Sequence, residues 1–74
     1  MSTGERLEEA AELYERAAEE LELAAAHCRT AARHFRDREV PRGGAHAWAA
    51  FGHILSAEQS LEEQARAHAQ SSNP

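Results

Sequence analysis

Four of the five histidines fall into two pairs with the same spacing. His27 and His34 are seven residues apart, and so are His46 and His53. Seven residues make about two turns of an α-helix, so each pair would lie on one helix face. Neutral imidazole is the nitrogen ligand that zinc, copper, nickel and iron sites use most often. We therefore predict a candidate site for a transition metal ion at His27, His34, His46 and His53.

The two pairs are predicted to face each other if the chain folds into an antiparallel hairpin. Facing positions in such a hairpin are equidistant from a pivot, and a pivot at residue 40 pairs His27 with His53 and His34 with His46. The two layers would then lie about 10.5 Å apart along the helix, too far to share one ion. Each layer would need two further ligands, from a symmetry mate, from Cys28 or from a carboxylate.

The competing interpretation is structural: partly buried histidines, hydrogen-bonded to each other, to water or to glutamates of a neighbouring chain. A haem with two histidine ligands is disfavoured because alanine-lined helices leave no room for a porphyrin. A carboxylate-bridged di-iron site is disfavoured because the chain has no Glu-x-x-His sequence. His27 and Cys28 do not form a catalytic dyad, because adjacent residues of a helix point about 100° apart. Cys28 falls on the same helix column as large apolar residues, so we predict a buried structural thiol. No nucleophile, base and orienting group converge, and we predict that the protein is not an enzyme.

Two long helices must position these residues. Ser2 or Thr3 can cap the first helix, with Glu5 completing a capping box, and nothing interrupts helix before Asp37. Pro41 suits the first turn of a second helix. We predict a single all-α domain over residues 1–74, an antiparallel two-helix hairpin. Its first helix covers about 4–37, its turn about 38–40 and its second helix about 40–70, followed by a frayed tail at 71–74.

The heptad pattern indicates how the helices pack. One column of the first helix carries large residues and two neighbouring columns carry alanine; in the second helix, a column runs from Val40 to His68. Alanine methyl groups let two helix axes approach closely, so we interpret these columns as the seam between the helices. The columns are Leu7, Tyr14, Leu21, Cys28 and Phe35, then Ala10, Ala17, Ala24 and Ala31, then Ala11, Ala18, Ala25 and Ala32, and in the second helix Val40, Ala47, Ile54, Leu61 and His68.

The core of a single chain is thin. The 74 residues include twelve large apolar side chains after Met1, against seventeen alanines, and domains of this size usually need a partner, a metal or a disulfide. Trp48, Phe51 and Leu55 widen the apolar surface of the second helix beyond what one helix can cover. We predict assembly with itself through these three residues, as a four-helix-bundle homodimer, a tetramer or a higher oligomer. The alternatives are that they wrap the hairpin's own core, or that they bind a different protein while the histidines are structural.

Charge and composition limit the partners. A net charge of -5 without lysine argues against nucleic-acid binding. The lack of a long apolar run argues against a membrane, and the single cysteine is typical of the cytoplasm. Glu5–Glu22 holds eight acids and two arginines, whereas Arg29–Arg42 holds five arginines and two acids. This segregation complements the helix dipole, and it would also favour an antiparallel dimer in which a basic tip meets an acidic open end.

Parts of the chain resemble a group of small histidine-rich bacterial proteins that look like helical hairpins, over roughly residues 27–69. Their pattern is close to H-x6-H-[FY], G-[DE], A-H-H-A-H, G-H and A-K-x-H-A. This sequence departs from it where Trp48 and Phe51 stand in place of frequent histidines and Arg38 in place of the turn glycine. The resemblance implies the hairpin fold, and it supplies no established activity that could be carried over to this chain. The matching stretches are His34-Phe35, Glu39, Ala45 to His53, Ala57-Glu58 and Ala65 to Ala69.

Overall fold

The chain forms a hairpin of two helices that is one layer thick. In a computed structural model, which describes residues 2–72, α1 spans Thr3–Arg36 and α2 spans Val40–Ser71. The predicted hairpin is confirmed, and residues 73–74 of the predicted tail lie outside the described residues. The molecule measures 53 × 23 × 12 Å, and its thinnest dimension is about one helix diameter. Both broad surfaces of the layer are therefore open.

Local hydrogen bonds define the helix ends. The Ser2 hydroxyl caps α1 by accepting the Glu5 N–H at 3.1 Å, as the capping sequence predicts. At the other end, Arg38 has a φ of 60° and donates its N–H to Phe35 O, and the Glu39 N–H reaches His34 O at 2.8 Å. These two bonds form a Schellman motif with a left-handed residue after the helix cap. The three-residue turn Asp37–Glu39 thus reverses the chain, and α2 begins at Val40.

Arg38 offers a direct test of this turn. Glycine adopts a positive φ without the clash that an L side chain suffers there, so Arg38→Gly should stabilise the hairpin by about 0.5–1 kcal/mol. The matched control is the neighbouring Asp37→Gly, where φ is -86° and glycine should only increase the entropy of the unfolded chain. Urea unfolding compares the two variants. A loss of stability in Arg38→Gly equal to that in Asp37→Gly would contradict the left-handed turn.

Small residues make the seam between the helices. Its buried positions are Ala17, Ala24 and Ala31 with Leu13 in α1, and Gly43, Ala50 and Ala57 in α2. Of the two predicted alanine columns of α1, the one with Ala17, Ala24 and Ala31 is therefore correct, whereas the column from Ala11 to Ala32 is exposed or half-buried. The large column of α1 and the predicted α2 column from Val40 to His68 also do not belong to the seam. A residue four positions after a buried alanine lies about 40° further around the helix. The side chains of the large column therefore point out of the layer that the two helices form.

The large side chains accordingly gather on one broad surface, which we call the apolar face. Eleven of the twelve large apolar residues are 42–75% exposed, with only Leu13 buried. The large columns of α1 and α2 lie on the same side, because Cys28 and Phe35 line one groove together with Phe51 and Ile54. The apolar face comprises Leu7, Tyr14, Leu21, Phe35, Val40, Phe51, Ile54 and Leu61, with Trp48 and Leu55 along its α2 edge.

This surface excludes one alternative that the sequence left open and corrects one prediction. Trp48 is 75% exposed and packs edge-on against Phe51 at 6.1 Å, so it does not wrap the hairpin's own core. Cys28 is exposed and not a buried thiol, because it occupies the large column that points out of the layer. Over the part of the chain that the structure describes, neither helix contains a stretch with the length and hydropathy needed to cross a membrane.

Candidate functional site

The histidines lie in the seam itself, between the layers of small residues. His27 and His34 follow Ala24 and Ala31 by three residues, and His46 and His53 follow Gly43 and Ala50 in the same way. Small residues and histidines thus alternate at spacings of three and four residues along both helices. Residues at these spacings lie on the same side of a helix, so each histidine is next to buried small residues. All four histidines are half-buried. Small layers and imidazole layers therefore alternate along the tip half of the hairpin.

The four imidazole rings form one continuous row, which we call the histidine ladder. His27 Nδ1 and His46 Nδ1 are hydrogen-bonded at 2.9 Å, with ring centroids 5.1 Å apart. The His27 ring stacks on His53 at 5.4 Å and the His46 ring stacks on His34 at 5.4 Å. The order along the ladder is His34, His46, His27 and His53. The structure therefore brings all four predicted residues together.

A carboxylate closes each end of the histidine ladder. Glu20 Oε2 lies 2.6 Å from His53 Nδ1, and Glu39 Oε1 lies 3.8 Å from His34 Nδ1. Sequence analysis missed both acids. Glu20 could have been found, because it precedes His27 by seven residues and so occupies the same helix column as His27 and His34. Glu39 follows the Schellman turn, at the position where a contact back to His34 is usual, although that contact is normally hydrophobic.

The observed register differs from the predicted one by a heptad. The predicted pairs, His27 with His53 and His34 with His46, do touch, but only as stacked neighbours. The hydrogen-bonded pair is His27 with His46, and the position opposite His53 is filled by Glu20. The cause is the three-residue turn around Arg38, which places the pivot of the hairpin near residue 37 and not at residue 40.

Two contacts of the histidine ladder depend in opposite ways on whether the imidazole rings carry a charge. A hydrogen bond between two Nδ1 atoms requires one ring that donates and one neutral ring that accepts, so the contact between His27 and His46 is lost when both rings are charged. By contrast, protonation of His53 turns its contact with Glu20 into an ion pair. The chemical capacity of the histidine ladder is therefore to hold protons, or a cation that replaces them.

As a metal site, the single hairpin supplies two converging nitrogens. Nitrogen ligands at about 2.0–2.1 Å from a tetrahedral ion are about 3.3 Å apart, so His27 Nδ1 and His46 Nδ1 would need to move apart only slightly from 2.9 Å. Within residues 2–72, no group of three or more His, Cys, Asp or Glu side chains is arranged to hold an ion. Cys28 lines the groove of the apolar face, so it is not available to this site.

The histidine ladder and the apolar face belong to opposite surfaces of the layer. Measured around α1 from the buried alanine column, the large column lies about 40° to one side and the histidine column about 60° to the other. The groove on the apolar face is lined by the small seam residues Ala31 and Ala50, which lie between the two surfaces. A second copy on the apolar face would therefore add no ligands to the histidine ladder.

Comparison with known proteins found no matching family model, no matching curated protein and no matching solved structure.

Proposed function

We propose that this protein is a non-enzymatic, homo-oligomeric helical-bundle protein. The apolar face of one hairpin packs on the apolar face of another, which makes a four-helix bundle as the smallest unit. The observation that carries this proposal is the one-sided placement of the large side chains. Ten of the twelve lie on the apolar face, whereas Leu23 is the one large residue exposed elsewhere on the hairpin's described residues.

The exposed area supports the proposal. The chain exposes 5719 Å², whereas a compact monomer of 8.2 kDa exposes about 4,500 Å². The excess is about 1,200 Å², and a stable interface of standard size buries about 800 Å² on each partner. The excess exposed area of the chain is thus at least as large as the area that one partner of a standard interface buries, which supports burial of the apolar face by a second hairpin.

The small size of the residues buried in the seam also supports assembly. Leu13 is its one buried large side chain, and the other buried apolar residues are alanines of 1–6% exposure. Each alanine contributes little apolar area, so the seam alone provides weak hydrophobic stabilisation. Burial of the apolar face supplies the missing area, and we therefore expect folding to be coupled to assembly.

Coupled folding and assembly predicts a melting temperature that depends on protein concentration. Raising the concentration from about 1 to 100 µM should raise the melting temperature, because mass action favours the oligomer over unfolded chains. Circular dichroism at 222 nm measures the transition at each concentration. A cooperative transition at one fixed temperature would show that the monomer folds alone, and the apolar face would then be a surface for a different protein.

We also propose a cytoplasmic location. Cys28 is the one cysteine of the sequence and a free thiol, and free thiols persist in reducing compartments. A thiol titration of protein isolated under non-reducing conditions tests this, since a fully oxidised Cys28 would contradict it.

A second candidate function is binding of a transition metal ion to the histidine ladder. The convergence of His27 Nδ1 and His46 Nδ1 favours it, because these two atoms already approach the spacing of two ligands on one ion. Water, or Glu20 and His53 after a change of side-chain rotamer, would complete the coordination. The site lies on the surface opposite the apolar face, so it would stay open in the assembled bundle.

Metal binding predicts a pH-dependent stabilisation. Zinc, nickel or copper should raise the melting temperature at pH 7.5 and much less at pH 5.5, because the ion competes with protons for the same nitrogens. His46→Ala should remove most of the gain, whereas His68→Ala, at an exposed position of the open end, should leave it intact. A gain that survives in the double variant His27→Ala with His46→Ala would rule out this site.

A further inference from the structure

We propose that two hairpins pack with their tips at opposite ends, so that the groove at Cys28 and Ala47 of each copy receives Tyr14 and Leu61 of the other. This inference rests on the proposed function, since it specifies how the apolar face binds a second copy. Two independent features of that surface carry it: the order of large and small side chains along it, and the order of charges along its α1 edge.

The levels on the apolar face follow from the contacts of the histidine ladder. Cys28 and Ala47 each come one residue after the bonded pair His27 and His46 and line the same groove, so their levels differ by only about 3 Å. In the same way, Leu21 and Ile54 come one residue after the contact between Glu20 and His53. Tyr14 and Leu61 stand one heptad further towards the open end. The apolar face therefore carries large side chains at the level of Tyr14 and Leu61 and at the central level, and small side chains at the level of Cys28 and Ala47.

The small level is open as a groove. It is lined by Cys28, Ala31, Ala47 and Ala50, together with the aromatic rings of Phe35 and Phe51. Gly43 lets the Phe35 ring pack closely on α2 at the edge of this groove, because a Cβ there would stand 2.9 Å from the ring. The lining is apolar apart from the thiol of Cys28, so the side chains that fit the groove are apolar and of leucine or tyrosine size.

Only one of the two face-to-face arrangements places the large level at Tyr14 and Leu61 on the small level at Cys28 and Ala47. A twofold axis through the level of Leu21 and Ile54, perpendicular to the helices, places the large level of each copy on the groove of the other. With both tips at the same end, each level would pack against the same level of the other copy. Four small residues would then leave a cavity, and two copies of Tyr14 and Leu61 would crowd one another.

Charge along the α1 edge of the apolar face favours the same arrangement. One exposed heptad column of α1 reads Glu8, Glu15, Glu22, Arg29 and Arg36. With the tips at opposite ends, Arg29 comes beside Glu15 of the partner and Arg36 beside Glu8 of the partner. With the tips together, α1 of one copy would lie over α2 of the other, so these two columns would stand on opposite edges of the bundle and form no such pairs. Exposed ion pairs contribute little stability, but complementary charges help to select one orientation over the other.

Distances between spin labels on the two copies test the orientation. A nitroxide is attached through Asp37→Cys, at the exposed turn, in a Cys28→Ser background, and pulsed dipolar spectroscopy measures the separation in the oligomer. Asp37 lies sixteen residues from the proposed axis at Leu21, so labels on opposite tips should be about 50 Å apart, against about 20 Å for adjacent tips.

A label near the middle of the molecule provides the control. Glu19 is exposed, points away from the apolar face, and lies close to the level of the axis, so Glu19→Cys should give about 30 Å across the two layers in either orientation. About 50 Å at Asp37 with about 30 Å at Glu19 supports the inference. About 20 Å at Asp37 with about 30 Å at Glu19 would overturn the orientation and leave the proposed function standing. No dipolar coupling at either position would overturn both.

Discussion

Leu21→Glu is expected to break the oligomer into chains that are largely unfolded. Leu21 is at the centre of the apolar face and is 47% exposed in the single hairpin, so a second copy would bury most of its remaining surface. Losing a buried leucine costs about 2 kcal/mol, and leaving an unpaired carboxylate in an apolar interface costs more. Both copies carry the change, which doubles its effect. Sedimentation velocity and circular dichroism measure the two consequences.

The chain provides a closely matched control in Leu23. It has the same residue type and the same 47% exposure, but it lies two residues away on the opposite surface of the layer. Leu23→Glu should therefore leave the oligomer intact and change stability by less than about 0.5 kcal/mol. If Leu23→Glu and Leu21→Glu had equal effects on assembly, the apolar face would not be the interface.

Ala24→Leu is expected to destabilise the protein by about 1–3 kcal/mol, because the added atoms push the two helices of the seam apart. Ala24 is only 4% exposed. Leucine and alanine have similar helix propensities, so the loss would come from packing and not from helix formation. Ala26→Leu, on the exposed outer side of α1, is the control and should cost little. Urea unfolding that shows equal losses at Ala24 and Ala26 would contradict the seam.

The hairpin was predictable because its signals are local. Ser2 and Glu5 mark the start of α1 because their side chains can satisfy the free N–H groups of its first turn. Pro41 marks the start of α2 because it has no N–H and suits the first turn of a helix. The column that faces the other helix was harder to predict. Alanine and large columns adjoin each other, and an apolar column has the same appearance whether it packs on the same chain or on another copy.

The candidate site was predictable in membership but not in register. His27, His34, His46 and His53 share one seam because of their spacing, but a heptad pattern looks the same after a slip of seven residues. Only the turn decides between such registers, and the turn Asp37–Glu39 around the left-handed Arg38 places the pivot near residue 37. Glu20 was missed for a different reason: it is one of eight acidic residues in the first half of α1, and composition does not distinguish it from the others.

The hairpin thus has two surfaces with different chemistry. The apolar face carries ten of the large side chains, and the opposite surface shows the histidine ladder with Glu20 and Glu39 at its ends. In the bundle that we propose, the apolar faces are enclosed and two histidine ladders point outward on opposite sides. Assembly and proton or metal binding would then occur at separate places, and a variant of one should leave the other unchanged.

The mass of the native particle tests assembly most directly. We expect static light scattering behind gel filtration, at micromolar concentration and without an affinity tag, to give at least twice the 8.2 kDa of the chain, together with a helical circular dichroism spectrum. A particle of one chain mass that remains helical and unfolds cooperatively would contradict assembly through the apolar face.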